Sequence, residues 1–288
     1  MRTTGLTLLA MVAFAANSVL CRIALGHTAS DPASFTTIRL MAGAIMLWIV
    51  TRVRGGTHQG KGSWLSALAL FAYATAFSFA YVSLSAATGA LVLFGAVQIT
   101  MIGHGLWSGE RIRALQVFGL MLAFAGLVGL LLPGLTAPPM RGAVLMLGAG
   151  VAWGIYSLRG KRAGDPTLVT SGNFLRTIPI ALVLGAWRFK DLSFGSMTID
   201  SMSVDTTGVA YAIASGALAS GIGYSIWYSA LPRLKSTTAA TVQLSVPVIA
   251  AVGGIVFLDE LLSLRLALAS IAVLGGIGLV IAQTDRMR

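Results

Sequence analysis

The sequence predicts an all-α integral membrane protein of ten transmembrane helices, built as two inverted five-helix repeats with both termini in the cytoplasm. Three observations predict it. The 288 residues are 56% hydrophobic, with a mean hydropathy of +0.85. Charged residues make up 10% of the chain, where soluble domains carry about 25%. The chain also matches itself at an offset of 150 residues: Leu84-x-x-x-Thr88-x-Ala90-x-Val92 recurs as Leu234-x-x-x-Thr238-x-Ala240-x-Val242. Each copy runs on to an acidic turn, Gly109-Glu110 or Asp259-Glu260, and then to an apolar segment in which Gly126 matches Gly276. Self-similarity of this kind marks one unit used twice.

Apolar runs of about 20 residues, the length that crosses the hydrocarbon of a bilayer, fall near 5–25, 34–51, 64–84, 87–108, 113–132, 141–158, 167–187, 206–230, 237–257 and 264–283. The connections are short, the longest being 52–63, 133–140 and 188–205, which leaves no room for a soluble catalytic domain. Residues 1–132 form the first repeat, the Pro- and Gly-containing stretch 133–140 a linker, and 141–288 the second repeat. Five spans is an odd number, so the second copy enters the membrane from the opposite face. Inverted repeats of this type place a substrate site near the midplane between them and give alternating access by exchanging their conformations. Further pairings support the alignment: Asp31-Pro32 before the second span and Asp165-Pro166 before the seventh, Thr75 with Ser225, Phe77 with Trp227. Small residues at helical spacing (Ala212, Gly216, Ser220; Gly119, Ala123, Gly126) let helices approach closely.

The net charge of +11 is a topology signal. With the N-terminus inside, thirteen Lys and Arg residues lie on the cytoplasmic side and five on the other, while Arg39 and Arg176 fall within spans. The excess implies contact with anionic headgroups of the lipid bilayer and no nucleic-acid partner. The single cysteine, Cys21, excludes an internal disulfide and argues against a metal cluster; no cofactor and no metal are expected. Residues 1–21 have the look of a signal peptide, but Ala13–Ser18 echo Ala152–Ser157, which assigns them to a first span.

All nine acids lie outside the apolar cores, and this argues against an ion pump or a proton relay through a buried carboxylate. Glu110 and Glu260 read as structural, each holding the N-terminus of the next helix. Buried amides need partners inside the bundle or a wet cavity, which nominates Asn17, Gln98 and Gln243. Tyr73, Phe77 and Tyr81 share one face of the third span. Tyr73 and Phe77, with Trp153, Tyr156, Tyr224 and Trp227, are expected at a cavity wall; Tyr81, Trp107 and Trp187 are expected in the interfacial belt. Arg39, about one and a half turns from the surface, is expected to snorkel outward. Arg176, nearer the middle of its span, is a candidate either to attract a substrate carboxylate or to neutralise helix C-termini, and His104 reads as a solvated helix end. Gly55-x-x-x-x-Gly60-Lys61 imitates a phosphate loop, but Gly62 stands where Ser or Thr must bind magnesium. Neither His-Glu-x-x-His nor an intramembrane Gly-x-Ser-x-Gly occurs, so no enzyme activity is expected.

Two five-span halves closing on Gly109-Glu110 and Asp259-Glu260, with Asp31-Pro32, Arg39 and Pro247, resemble the drug/metabolite transporter superfamily of EamA type, across essentially the whole chain. Length and aromatic content are similar to those of the YddG-type amino-acid exporters. The resemblance implies a cavity lined by spans one to four and six to nine, with five and ten peripheral. The chain departs from the pattern at Val97, where the first half lacks the counterpart of Pro247. The expected function is export of aromatic or neutral amino acids, or similar small metabolites, across a bacterial inner membrane by a monomer or weak homodimer. The alternatives are a nucleotide-sugar or phosphorylated-metabolite antiporter, which would want more basic residues in the cavity, and a membrane structural protein that transports nothing.

Overall fold

The computed structural model describes residues 2–54, 62–107, 114–132, 137–160, 165–193, 205–230, 242–243 and 245–285, and among these the regular structure is helical. The helices are α1 (Arg2–His27), α2 (Pro32–Val53), α3 (Trp64–Tyr81), α4 (Ala86–Trp107), α5 (Ala114–Leu131), α6 (Met140–Gly160), α7 (Pro166–Ser193), α8 (Thr206–Ala230), α9 (Ser245–Leu258) and α10 (Leu264–Asp285). The first eight are long and apolar enough to cross a bilayer; α9, and the apolar part of α10 at Leu264–Leu279, are shorter. The expected ninth span begins at 237, and most of its first third lies outside the described residues, as do Glu110 and the lookalike loop at 55–61.

Helix starts follow local chemistry. Asp31 Oδ1 accepts the N–H groups of Ala33 and Ser34 at 2.9 and 3.0 Å, with Pro32 in the first turn of α2. Asp165 Oδ1 accepts those of Thr167 and Leu168 at 2.8 and 3.1 Å, so the two Asp-Pro pairs begin α2 and α7 alike. Asp205 caps α8 through Thr207 and Gly208, and its second oxygen takes the N–H of Ala29 at 2.7 Å, tying α8 to the α1–α2 turn. These donors, led by the Gly208 N–H, hold the Asp205 carboxyl below the usual carboxylate range. Such caps satisfy the orphan donors of a helix's first turn.

The packing runs in layers. α5 packs on α10, α2 on α7 and α4 on α9; α6 lies against α3 and α4, and α1 against α8 and α9. Of the most apolar window of α5 33% is buried, against 67% for α4, which places α5 at the edge and α4 in the centre. Phe118, Met121 and Phe124 of α5 are accordingly exposed, as befits side chains that face lipid rather than water. Close approach is enforced by glycine. A Cβ on Gly126 would meet the Ala272 Cβ at 2.8 Å, and one on Gly276 would collide with the Gly119 carbonyl and come within 2.7 Å of the Ala123 nitrogen. The two glycines paired in sequence therefore both serve the α5–α10 contact.

α8 departs from α-helical winding: Ser215–Ile222 is a π-helical segment. A π-turn links residue i to i+5, so Ser215 and Ser220 come onto one face, toward α1 and α2. At the crossing with α2 a Cβ on Gly216 would collide with the backbone carbonyl of Arg39, an atom that cannot rotate away. Gly216→Ala should therefore cost about 1–3 kcal/mol and lower the thermal midpoint in detergent. Gly129→Ala, whose Cβ meets nothing within 4 Å, should be neutral or stabilise by up to ~1 kcal/mol. Equal midpoints for the two variants would contradict this account of the α2–α8 crossing.

Candidate substrate cavity

Where α1, α3, α4, α6 and α8 converge, Phe14, Asn17, Ser18, Tyr73, Phe77, Leu93, Phe94, Trp153 and Tyr224 surround an internal cavity of about 10 Å³. That is room for roughly one water, against the ~300 Å³ or more of a small-molecule pocket, so the described conformation is closed down on its centre. The wall is aromatic. Trp153 stands 4.8 Å from both Tyr73 and Tyr224, ring centre to ring centre, and Phe14 meets Trp153, Tyr224 and Trp227 edge-on at 5.6–6.1 Å. Tyr73, Phe77 and Tyr81 continue the stack down α3 at 5.4 and 4.7 Å. Offset and edge contacts of this kind add about 0.5–1.5 kcal/mol each beyond area burial.

A polar network crosses the wall. Asn17 Nδ2 donates to the Tyr73 hydroxyl at 3.3 Å, and Ser215 Oγ donates to Asn17 Oδ1 at 2.6 Å. Arg39 is 1% exposed; its Nη2 donates to the Tyr73 hydroxyl at 3.3 Å and, with Nε, to Ser220 Oγ at 3.4 Å. The guanidinium lies over the Phe77 ring at 4.8 Å and the Tyr73 ring at 5.5 Å. Residues from α1, α2, α3 and α8 are thereby joined, with the π-segment supplying both serines. A guanidinium at the centre of a spanning helix costs roughly 2.5–3.5 kcal/mol, and desolvated cation–π contact returns about 2. Among the described residues the Arg39 guanidinium bonds Ser220 and Tyr73 and no carboxylate.

Both ends of the bundle are tied between helices. At the end where α1 finishes, Glu260 accepts the Ala86 N–H at 2.8 and 2.9 Å and pairs with Arg22 Nε at 3.6 Å. Arg22 Nη1 in turn donates to the carbonyls of Tyr81 and Val82 at 3.0 and 3.1 Å. Asp259 adopts a left-handed φ of 51°, a conformation Asp tolerates better than most residues; the turn lets the Glu260 N–H reach the Gly254 carbonyl at 3.1 Å. Gly254 leaves the space that the Glu260 carboxylate occupies. At the opposite end Arg159 Nε donates to Ser66 Oγ at 3.0 Å, Arg54 Nη1 to Thr167 Oγ1 at 3.2 Å, and the Ser63 N–H to Asn173 Oδ1 at 2.9 Å.

Of the residues nominated from sequence, Asn17, Tyr73, Phe77, Trp153 and Tyr224 line the cavity. Trp227 and Tyr156 are buried behind it, Tyr156 5.6 Å from Trp153 and accepting Asn173 Nδ2 at 3.4 Å. Gln98 and Gln243 are buried away from the lining. Arg176 is half-buried and bonds the Gly172 carbonyl of its own helix at 2.8 Å. His104 and Trp107 are exposed, and the Trp187 side chain lies outside the described residues.

Three expectations are corrected. Arg39 does not snorkel: α8 covers it at the Gly216 crossing, and Ser220 and Tyr73 bind its donors. Tyr81 is fully buried rather than interfacial, because it stacks on Phe77 and reaches the Ala86 carbonyl at 3.4 Å. Glu260 holds the N-terminus of α4 rather than that of the next helix, α10, whose first turn is capped by Ser263. Phe14, Leu93 and Phe94 were not nominated; as ordinary residues of apolar helices they carry no local signal.

A family model described as the EamA-like transporter family matches residues 2–132 and again 140–282. A Pseudomonas aeruginosa protein of uncharacterized function is 52% identical over 98% of this chain and 95% of its own length. The threonine/homoserine exporter RhtA of Salmonella typhimurium is 34% identical over 52% of this chain and 49% of its own, so that match spans about half of the exporter. A solved crystal structure superposes with a TM-score of 0.66 at 20% identity, covering 98% of this chain and 99% of that one, and shares the fold. The chain belongs to the EamA-like transporter family, as a multi-pass membrane protein.

Proposed function

We propose that this protein exports amino acids or closely similar small metabolites across a bacterial inner membrane, by alternating access between two inverted five-helix repeats. The observation that carries the proposal is the closed central cavity, walled by aromatic faces and by the Asn17 and Tyr73 polar groups. Such a lining suits an organic zwitterion, and the threonine/homoserine exporters among its relatives point to the same class. Further support comes from the double match of the family model and from the pairing of α2 with α7, α4 with α9 and α5 with α10, each joining elements five apart. The excess of Lys and Arg on one side orients both termini inward. With Arg39 the single buried cation beside the cavity among the described residues, a phosphorylated substrate is less well matched than a carboxylate-bearing one.

Transport in this scheme is downhill. Among the described residues the cavity lining holds no carboxylate to carry a coupled proton. Purified protein in liposomes should show counterflow of labelled threonine or of an aromatic amino acid without an imposed pH gradient. Trp153→Ala should reduce the rate at least tenfold. Flux that appears only with a proton gradient overturns the uncoupled mechanism, and no flux of any amino acid overturns the substrate class.

Alternating access also requires the Glu260–Arg22–Ala86 tie to open. Cys21, the single cysteine, is buried next to Arg22. Glu260→Ala should raise its reaction rate with a membrane-impermeant maleimide several-fold over wild type. An unchanged rate would mean that this tie does not gate the cavity.

A further inference from the structure

Two donors at the centre of the bundle have no hydrogen-bond partner among the described residues. Arg39 Nη1 and the Tyr224 hydroxyl are both buried and make no hydrogen bond among the described residues. Leaving a buried donor unmet is costly, and an unneutralised guanidinium more so. Arg39 and Tyr224 converge on the same place: Arg39 bonds Tyr73 and lies over Phe77, and Tyr73, Phe77 and Tyr224 all line the cavity. The Tyr73 hydroxyl already accepts from both Arg39 and Asn17, so its own hydrogen is left to donate. Donors are thus in surplus, acceptors are short, and the net local charge is positive.

We infer that Arg39, with the Tyr224 and Tyr73 hydroxyls, forms a carboxylate subsite of the transported molecule, and that the incoming carboxylate is the missing counter-ion of Arg39. The inference rests on the transport proposal above and deepens it: the substrate class becomes α-carboxylates, with the amino-acid side chain left to the aromatic wall. Opening of the closed cavity would let the carboxylate pass between Tyr73 and Phe77 to Nη1. The guanidinium is held on one edge by Ser220 and Tyr73 through Nε and Nη2, so Nη1 is the free prong. Fixing the guanidinium before substrate arrives lowers the ordering cost of binding. It also gives selectivity against neutral isosteres, because an amide would leave the positive charge uncompensated.

The test is counterflow of labelled L-threonine, with unlabelled L-threonine and L-threonine amide as competitors, in wild type, Arg39→Gln, Arg39→Lys and Tyr224→Phe. It is paired with tryptophan fluorescence of the detergent-purified proteins titrated with L-threonine, L-lactate and L-lactamide. Wild type should prefer the carboxylate over the amide at least tenfold. Arg39→Gln should bring that preference below threefold, and Arg39→Lys should keep part of it. Tyr224→Phe, which removes one hydroxyl and keeps the ring, should lower it about three- to tenfold, and it stands in if Arg39→Gln fails to elute as a folded monodisperse peak. Equal competition by acid and amide in wild type, or an undiminished preference in the Arg39→Gln and Tyr224→Phe variants, overturns the subsite. If wild type moves no threonine but its fluorescence responds to lactate and not to lactamide, and Arg39→Gln abolishes that response, the subsite stands and the amino-acid assignment falls. Absence of both signals overturns the subsite as well.

Discussion

A positive charge sealed in a membrane protein, with no carboxylate beside it among the described residues, is the constraint around which the centre of this molecule is arranged. Arg39 is held by the faces of Phe77 and Tyr73, by the Tyr73 hydroxyl and by Ser220. Each of these partners depends on something further out. Ser220 points inward because α8 is wound as a π-helix there, and α8 comes close enough because residue 216 has no side chain. Tyr73 is steadied by Asn17, and Asn17 by Ser215 of the same π-segment. Removing the irregular winding of α8 would therefore disturb α1, α2 and α3 together.

The same economy shows at the end of the bundle where Glu260 lies. One carboxylate neutralises the N-terminal dipole of α4 and pairs with Arg22, which reaches across to the last carbonyls of α3. Asp31, Asp165, Asp205 and Glu260 sit at helix ends, where a carboxylate meets backbone N–H groups and the positive end of a helix dipole. Among the described residues the apolar centre holds aromatic rings, amides, hydroxyls and the Arg39 cation. This division suits the proposed passage of a small zwitterion. It offers specific polar contacts without a resident anion that would have to be displaced.

The helical membrane character and most helix positions were legible in the sequence, because hydropathy over about 20 residues is a strong signal. The paired Asp-Pro starts of α2 and α7 and the glycines of the α5–α10 contact were visible as pairings, before their physical roles were. Five cavity residues were also legible, as polar or aromatic exceptions within apolar runs: Asn17, Tyr73, Phe77, Trp153 and Tyr224. Arg39, expected to snorkel outward, is instead buried. Depth along a helix was the available signal, and the deciding quantity was which neighbour covers each side chain; α8 covers Arg39, whereas Arg176 turns back on its own backbone. The π-segment left no trace beyond a run of small residues, which also reads as ordinary close packing.

Alternating access is tested most directly by pulsed electron-spin distance measurements on two label pairs in liposomes, comparing wild type with Glu260→Ala. One pair, at Val82 and Leu261, spans the end that Glu260 ties; the other, at Gly5 and Trp107, spans the opposite end, and all four positions are exposed. The account predicts that releasing Glu260 lengthens the Val82–Leu261 distance while the Gly5–Trp107 distance does not lengthen. Lengthening of both pairs together, or of neither, would contradict it.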